Sequence, residues 1–202
     1  MGITERKDRE KQEVRKLILD EAMKLFLEEG YKNVTLRKIA EGIEYSAGTI
    51  YLYFKDKDEI LFTLQTMTFE KFHTAQNAVQ QIEDPGERLM AHGKAYMKFA
   101  LENREYYDLM FIMAEPLNKI CYPQEWTTGL NSYNLLKKNI KDCIDAGVLP
   151  EADIEVAAFA FWSFVHGIVT LVIKRGMMFP PEYIDYLVDG AFGYLTRTIA
   201  TK

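Results

Sequence analysis

The sequence predicts an all-α fold of about nine helices, with a three-helix head joined by a long helix to a larger helical body. Three observations predict it. Apolar residues recur at three- and four-residue spacing along nearly the whole chain, and no strand alternation persists. Ser, Thr and Asp caps and Gly or Pro stops punctuate that pattern. Residues 35–60, TLRKIAEGIEYSAGTIYLYFKDKDEI, then place two short helices around a tight corner, ahead of a capped third. That helix-turn-helix layout pushes one helix into a DNA groove.

The elements follow in order. Val14, Leu17, Ile18, Ala22, Leu25 and Phe26 make one apolar stripe on a charged first helix, which Gly30 stops. Thr35 caps a short helix from about Leu36 to Ile43, and Ser46 caps the next, about Ala47 to Phe54. Asp56 with Glu59 opens a long helix running to about Ile82. Asp84-Pro85 with Glu87 repeats the device for a helix ending near Glu102. Asn103 caps another that ends before Glu115-Pro116, and residues 116–124 form a loop. A helix from about Pro123 to Ala146 stops at Gly147. The last two run from about Asp153 to Arg175 and from Pro180-Pro181 to about Ala200. Residues 1–57 are expected to form the DNA-binding head and 58–202 the ligand-binding and dimerisation body. Their boundary falls inside the long fourth helix, without a flexible linker.

Of 202 residues, 48% are hydrophobic, enough to fill a core and incompatible with general disorder. The net charge is −5, but it is uneven. Residues 1–57 hold 12 Lys+Arg and 11 Asp+Glu, whereas residues 58–202 hold 13 and 19. DNA binding is local, so an acidic body turned away from phosphate is tolerable. Residues 5–16 are dense in charge, so no secretory signal is expected. Cys121 and Cys143 form no CxxC and fit a reduced, cytoplasmic protein. Val156 to Ile173 lacks formal charge over a length at the lower edge of a membrane span. It also carries Ser163, His166, Gly167 and Thr170 and has no second such segment, so it reads as buried in a core and a dimer interface.

In the head, Ile39, Ala40, Ile43, Ile50 and Phe54 supply the packing that two short helices need. The exposed face of the third helix offers Ala47, Gly48, Thr49, Tyr51 and Tyr53. Small residues allow close approach to base edges, and hydroxyls reach phosphates or bases. Arg37 can hydrogen-bond a guanine or a phosphate. Lys57 adds charge beside backbone N–H groups that favour phosphate.

The runs F-x-E-x-G-Y-x-x-V-T-L-R-K-I-A and S-x-G-T-I-Y-x-Y-F-x-x-K-x-E-I-L resemble the N-terminal domain of TetR-family transcriptional regulators over roughly residues 14–62. The resemblance implies an all-helical homodimer, a palindromic double-stranded operator, repression, and release by a small molecule bound in the body. By position it assigns DNA contacts to Thr35, Arg37, Lys38, Ser46, Ala47, Gly48, Thr49 and Tyr53, with Lys57 as a phosphate clamp. Lys38 reads equally as a solvated charge, and Tyr51 either supports the helix or touches the DNA backbone. One departure stands at the corner, where the family has Gly followed by a small aliphatic residue. Here Glu44 and Tyr45 occupy those positions, so Glu44 is expected to find another backbone solution.

The body carries aromatic and Met side chains able to line an apolar cavity with polar handles. Candidate contacts are Tyr96, Tyr107, Met110, Phe111, Trp126, Phe159, Trp162 and His166. For each of them, plain core is the competing reading. Trp162 to Gly167, W-x-x-x-H-G, resembles a motif in the C-terminal domain of one TetR subgroup, with Trp162 and His166 on one helix face. The effector it takes is expected to be apolar or amphipathic. The helices near 153–175 and 180–200 are expected to pair with their copies, since the last carries a wide stripe from Tyr183 to Ile199.

Two other classes compete. A helical hydrophobe carrier without DNA binding is motivated by Glu44 and the acidic charge, but Thr49, Tyr53 and Lys57 argue against it. An enzyme finds little support: three histidines, and no HExxH, nucleophile elbow, P-loop or glycine-rich nucleotide turn. His73 and His92 read as surface or helix-packing residues. No cofactor or metal is expected.

Overall fold

A computed structural model describes residues 3–113, 127–175 and 180–200. Its helices are α1 (Ile3–Glu29), α2 (Leu36–Gly42), α3 (Ala47–Ile50), α4 (Lys57–Asn77), α5 (Pro85–Glu102), α6 (Arg104–Tyr107), α7 (Thr127–Asp145), α8 (Ile154–Arg175) and α9 (Pro181–Ala200). A 3-10 turn spans Tyr31–Asn33 and a π-helical turn spans Asp108–Ile112. No strand occurs among the described residues. Two compact units divide the chain: residues 1–68 with 107–125, and residues 69–106 with 126–202. Trp126, Cys121 and the expected loop at 116–124 lie outside the described residues.

In the first unit, α1 buries Ile18, Leu19, Ala22, Leu25 and Phe26. They meet Val34, Ile39 and Ala40 of the α2 region, Ile50 and Phe54 after the corner, and Ile60, Leu61 and Leu64 of α4. Leu17, expected in the stripe, is 47% exposed. The core also takes Leu109, and buried Gln65 Nε2 donates to the Leu109 carbonyl at 3.1 Å. A segment distant in sequence thus completes the core beneath the short helices.

Caps decide the short helices. The Thr35 hydroxyl accepts from the amide of Lys38 at 3.2 Å, and the Ser46 hydroxyl accepts from that of Thr49 at 3.2 Å. At the end of α2, the amide of Tyr45 donates to the Ala40 carbonyl (2.9 Å) and that of Glu44 to the Glu41 carbonyl (3.2 Å). This is the paired bonding of a Schellman motif, which needs a left-handed residue between them. Glu44 is that residue, with φ 60°. It therefore adopts the glycine conformation itself and finds no alternative. The α-helical span of α3 stops at Ile50, short of the expected Phe54. Beyond it the amides of Leu52 and Tyr53 reach back three residues, to Thr49 and Ile50, the tighter 3-10 pattern.

In the second unit, α5 packs on α7 and α8, α7 packs on α8, and α8 also meets α9. Phe69, Phe72, Leu89, Tyr96, Met97, Ala100, Leu136, Ile140, Ala158, Phe161, Val165 and Val169 are buried. Helix α4 ends at Asn77, before the expected Ile82. The carbonyls of Ile82 and Glu83 instead accept from Arg88 Nη1, at 2.6 and 3.1 Å. The Asp84 carboxylate caps α5 by accepting from the Glu87 amide at 2.7 Å. Helix α7 closes with a second Schellman motif, Val148 to Cys143 (2.8 Å) and Gly147 to Ile144 (2.9 Å), with Gly147 at φ 71°.

Among the described residues, α8 is the helix long and apolar enough to cross a membrane by length and composition. One of its faces, Ala158, Phe161, Val165 and Val169, is buried in the second unit. The other leaves Val156, Phe159 and Leu171 exposed.

A polar chain crosses the same unit. Arg88 donates from Nε to Asn139 Oδ1 (3.3 Å) and from Nη2 to the Asp142 carboxylate (2.8 Å). Asn139 therefore turns its Nδ2 to His92 Nδ1, 3.2 Å away, which must be the accepting nitrogen. The proton then sits on His92 Nε2 and needs an acceptor. Gln76 Nε2 lies 3.0 Å from that atom while Gln76 Oε1 is buried and unpaired. Exchanging the two isosteric amide atoms gives the His92 proton its acceptor. His92, 2% exposed, is thus a helix-packing residue. Burial, reinforced by His73, pushes its pKa down to about 4.

Candidate nucleic-acid interface

The corner and recognition helix build the surface. Ala47 packs partly on the core beside Ile50, which is fully buried. Gly48 is exposed, and a Cβ placed there would meet only Ser46 Oγ, at 3.6 Å. Packing does not require a glycine at this position; its bareness leaves a flat surface for a close approach. The Thr49 hydroxyl lies 3.0 Å from Ser46 Oγ, so the cap and the second hydroxyl form one polar unit at the helix start. Tyr51 is 60% exposed, which places it outside the core. Tyr53 is half-buried and packs against the core.

The cations differ in what they already hold. Arg37 is exposed and forms a loose surface pair with Glu41 at 2.9 Å. Such a pair is weak and readily exchanged for phosphate. Lys38 bonds the carboxylate of Glu29 and is half-buried. Lys57 donates to the carbonyls of Tyr31 (2.6 Å) and Val34 (2.8 Å), and its ammonium lies 4.1 Å from the Tyr31 ring centre. Its charge is therefore spent first on tying the 3-10 turn to the start of α4.

Two exposed side chains stand beside the expected contacts without being among them: Leu52, 76% exposed shortly after the recognition helix, and Tyr45, 43% exposed at the corner. Leu52 stands at i+4 from Gly48 and i+3 from Thr49, the same-face helical spacing that marks it in the sequence.

The expected ligand contacts fall into two groups. Tyr96, Phe159, Trp162 and His166 belong to the second unit; Tyr107, Met110 and Phe111 belong to the first. Within the second, Tyr96 Oη lies 2.9 Å from His166 Nδ1. The Trp162 ring stands 5.9 Å from that of His166 and 6.1 Å from Tyr133. Phe72 packs edge-on against Tyr96 at 5.2 Å. Burial lowers the His166 pKa, which favours a neutral imidazole with a phenol as its partner. Tyr107 and Met110 are buried in the first unit, and the Tyr107 ring stands tilted, 5.5 Å from that of Phe111.

Comparison with known proteins agrees with this geometry. Residues 18–64 match the family described as bacterial regulatory proteins, tetR family. Residues 89–191 match the tetracyclin repressor-like C-terminal domain. The HTH-type transcriptional regulator AcrR of Shigella flexneri is 25% identical over 186 residues, 87% of this chain and 83% of that protein. HbdR of Aromatoleum sp. (strain CIB), also an HTH-type transcriptional regulator, is 28% identical over 158 residues, 77% of this chain and 68% of that protein. In fold, the fatty acid degradation regulator FadR from Bacillus halodurans superposes with a TM-score of 0.72 at 20% identity, covering 90% of this chain and 94% of that one. With both of its domains matched, the chain belongs to the TetR family of transcriptional regulators.

Proposed function

We propose that this chain is a homodimeric, ligand-responsive repressor that binds a palindromic operator in the cytoplasm and leaves it when a small apolar or amphipathic effector occupies the body. The observation that carries the DNA reading is the bare helix start Ser46–Gly48, held on a closed core by Ile50 and Phe54. Thr35, Arg37, Lys38, Ser46, Ala47, Gly48, Thr49, Tyr51 and Tyr53 are the contacts, with Lys57 as a support that also adds positive potential. Dimerisation is supported by the apolar faces of α8 and α9, where Val156, Phe159, Leu171, Tyr183, Tyr186 and Tyr194 are exposed. Large apolar side chains crowded on two adjoining helices mark an association surface. Two recognition helices would then meet successive major grooves about 34 Å apart.

The body reading rests on the Tyr96–His166–Trp162 cluster, which offers a neutral polar pair among aromatic rings. An effector shifts the equilibrium only if it binds the released state more tightly. About 1–3 kcal/mol of coupling gives a 5- to 150-fold change in DNA affinity. Selection of bound duplexes from a random pool at moderate salt tests the proposal. An enriched palindrome is expected; dimeric, ligand-free protein that enriches nothing would overturn it.

A further inference from the structure

Helix α1 runs well past its packing need. Its first core-packing residue is Val14, and residues 4–13 are all exposed. About three turns therefore project from the first unit with no apolar reason to exist. The chain invests good helix formers and two ladder pairs in them: Arg6–Glu10 at 2.8 Å and Arg9–Glu13 at 3.5 Å. These pairs cancel the charges of Glu10 and Glu13. Lys7 and Lys11 are the cations they leave over, on a stretch that also carries Glu5 and Asp8.

Lys7 and Lys11 also share a place. With Glu10, Glu13, Val14 and Leu17 they line one wall of a surface groove whose other wall is Tyr45, Leu52 and Tyr53; the two carboxylates are those held by Arg6 and Arg9. That second wall is the helix-turn-helix corner and the end of the recognition segment. The groove thus continues the proposed DNA surface sideways, onto the projecting helix. The two ammonium groups stand one turn apart, about 6 Å along the axis. That is close to two steps of the 3.4 Å rise of a DNA strand.

We propose that the projecting part of α1 is a second DNA-contacting element, in which Lys7 and Lys11 neutralise backbone phosphates flanking the recognition groove. The inference rests on the DNA-binding reading above and deepens it. Point cations reaching phosphate carry no sequence information. The element therefore sets affinity and salt dependence but not operator choice. Packing of α1 from Val14 onward on the core of the first unit gives the two cations a fixed base.

The test compares the wild-type chain with K7Q/K11Q, since Gln keeps helix propensity while removing charge. Affinity for the enriched duplex and for a random-sequence duplex is followed against salt, with helicity checked by circular dichroism. Each lost phosphate contact lowers the log–log slope by about 0.9, so a fall of about 1.8 per chain is expected on both duplexes. An unchanged slope with wild-type binding intact overturns this inference and leaves the DNA-binding reading standing. Absence of salt-dependent binding by the wild type itself overturns both. Loss confined to the enriched duplex also overturns the inference, because it makes the lysines readers of sequence.

Discussion

The amide of Tyr45 donates to the Ala40 carbonyl at 2.9 Å, a bond that closes because Glu44 between them lies at φ 60°. The same bond in α7, from Val148 to Cys143, closes over Gly147 at φ 71°. One motif is thus made once with the residue it favours and once with a carboxylate bearing a Cβ.

Glu44→Gly is therefore expected to stabilise the first unit. The left-handed conformation costs a non-glycine residue about 1–2 kcal/mol, and the extra unfolded-state freedom of Gly takes back about 0.5–1. A net gain of about 0.5–1 kcal/mol remains, read as a raised urea midpoint. Gly147→Ala should lose about 1 kcal/mol by the same physics. A destabilised Glu44→Gly would show that the carboxylate makes a compensating contact.

Lys57→Met separates two roles. The ammonium bonds two carbonyls in the first unit, and hydrogen bonds to a charged group are worth about 1.5–3 kcal/mol each. Stability is expected to fall by about 2 kcal/mol while the salt slope of DNA binding stays unchanged. A slope that drops by about 0.9 with stability intact would instead make Lys57 a phosphate clamp.

Thr49→Ala is expected to weaken operator binding severalfold without unfolding the chain. The cap survives it, since the Ser46 hydroxyl bonds the backbone amide of residue 49. Tyr53→Phe is the cleaner partner variant, because Tyr53 packs against the core and Ala there would leave a void. Unchanged affinity in both variants would remove these two side chains from the interface.

Acid should destabilise the second unit through His92. Its pKa is held near 4 in the fold, against an ordinary 6.5, so the unfolded chain takes the proton first as pH falls. Stability from this group is whole above pH 6.5 and drains away between pH 6.5 and about 4. The total is about 3 kcal/mol by linkage. His92→Gln should flatten that part of the urea midpoint-versus-pH curve. An equally steep curve would assign the acid sensitivity to other groups.

Phe159→Lys probes the apolar face of α8. Phe159 is 61% exposed in the single chain, so a lone surface change should cost its fold under about 0.5 kcal/mol. A buried cation at a paired face costs several kcal/mol. Light scattering should therefore report monomers at concentrations where the proposed wild-type dimer forms. A dimer of unchanged strength would move the interface off this face.

Whatever depends on near neighbours can be read from the residues alone. Helical period, the caps Thr35, Ser46 and Asp84 and the stop at Gly147 are written in residues one to four apart, and each stands where the pattern puts it. The packing residues of the head were legible for the same reason, Ile39, Ala40, Ile50 and Phe54 being buried as their spacing requires. Tertiary structure alone decided the partners of long side chains. Lys57 is claimed by carbonyls 26 and 23 residues away. Arg88 holds the carbonyls of Ile82 and Glu83 and orients Asn139 toward His92, and Leu109 enters the core of the first unit. A flexible cation or a lone apolar residue carries no local mark of which distant group will desolvate it. That choice is made by packing, where burying an unpaired donor or acceptor costs more than any local preference.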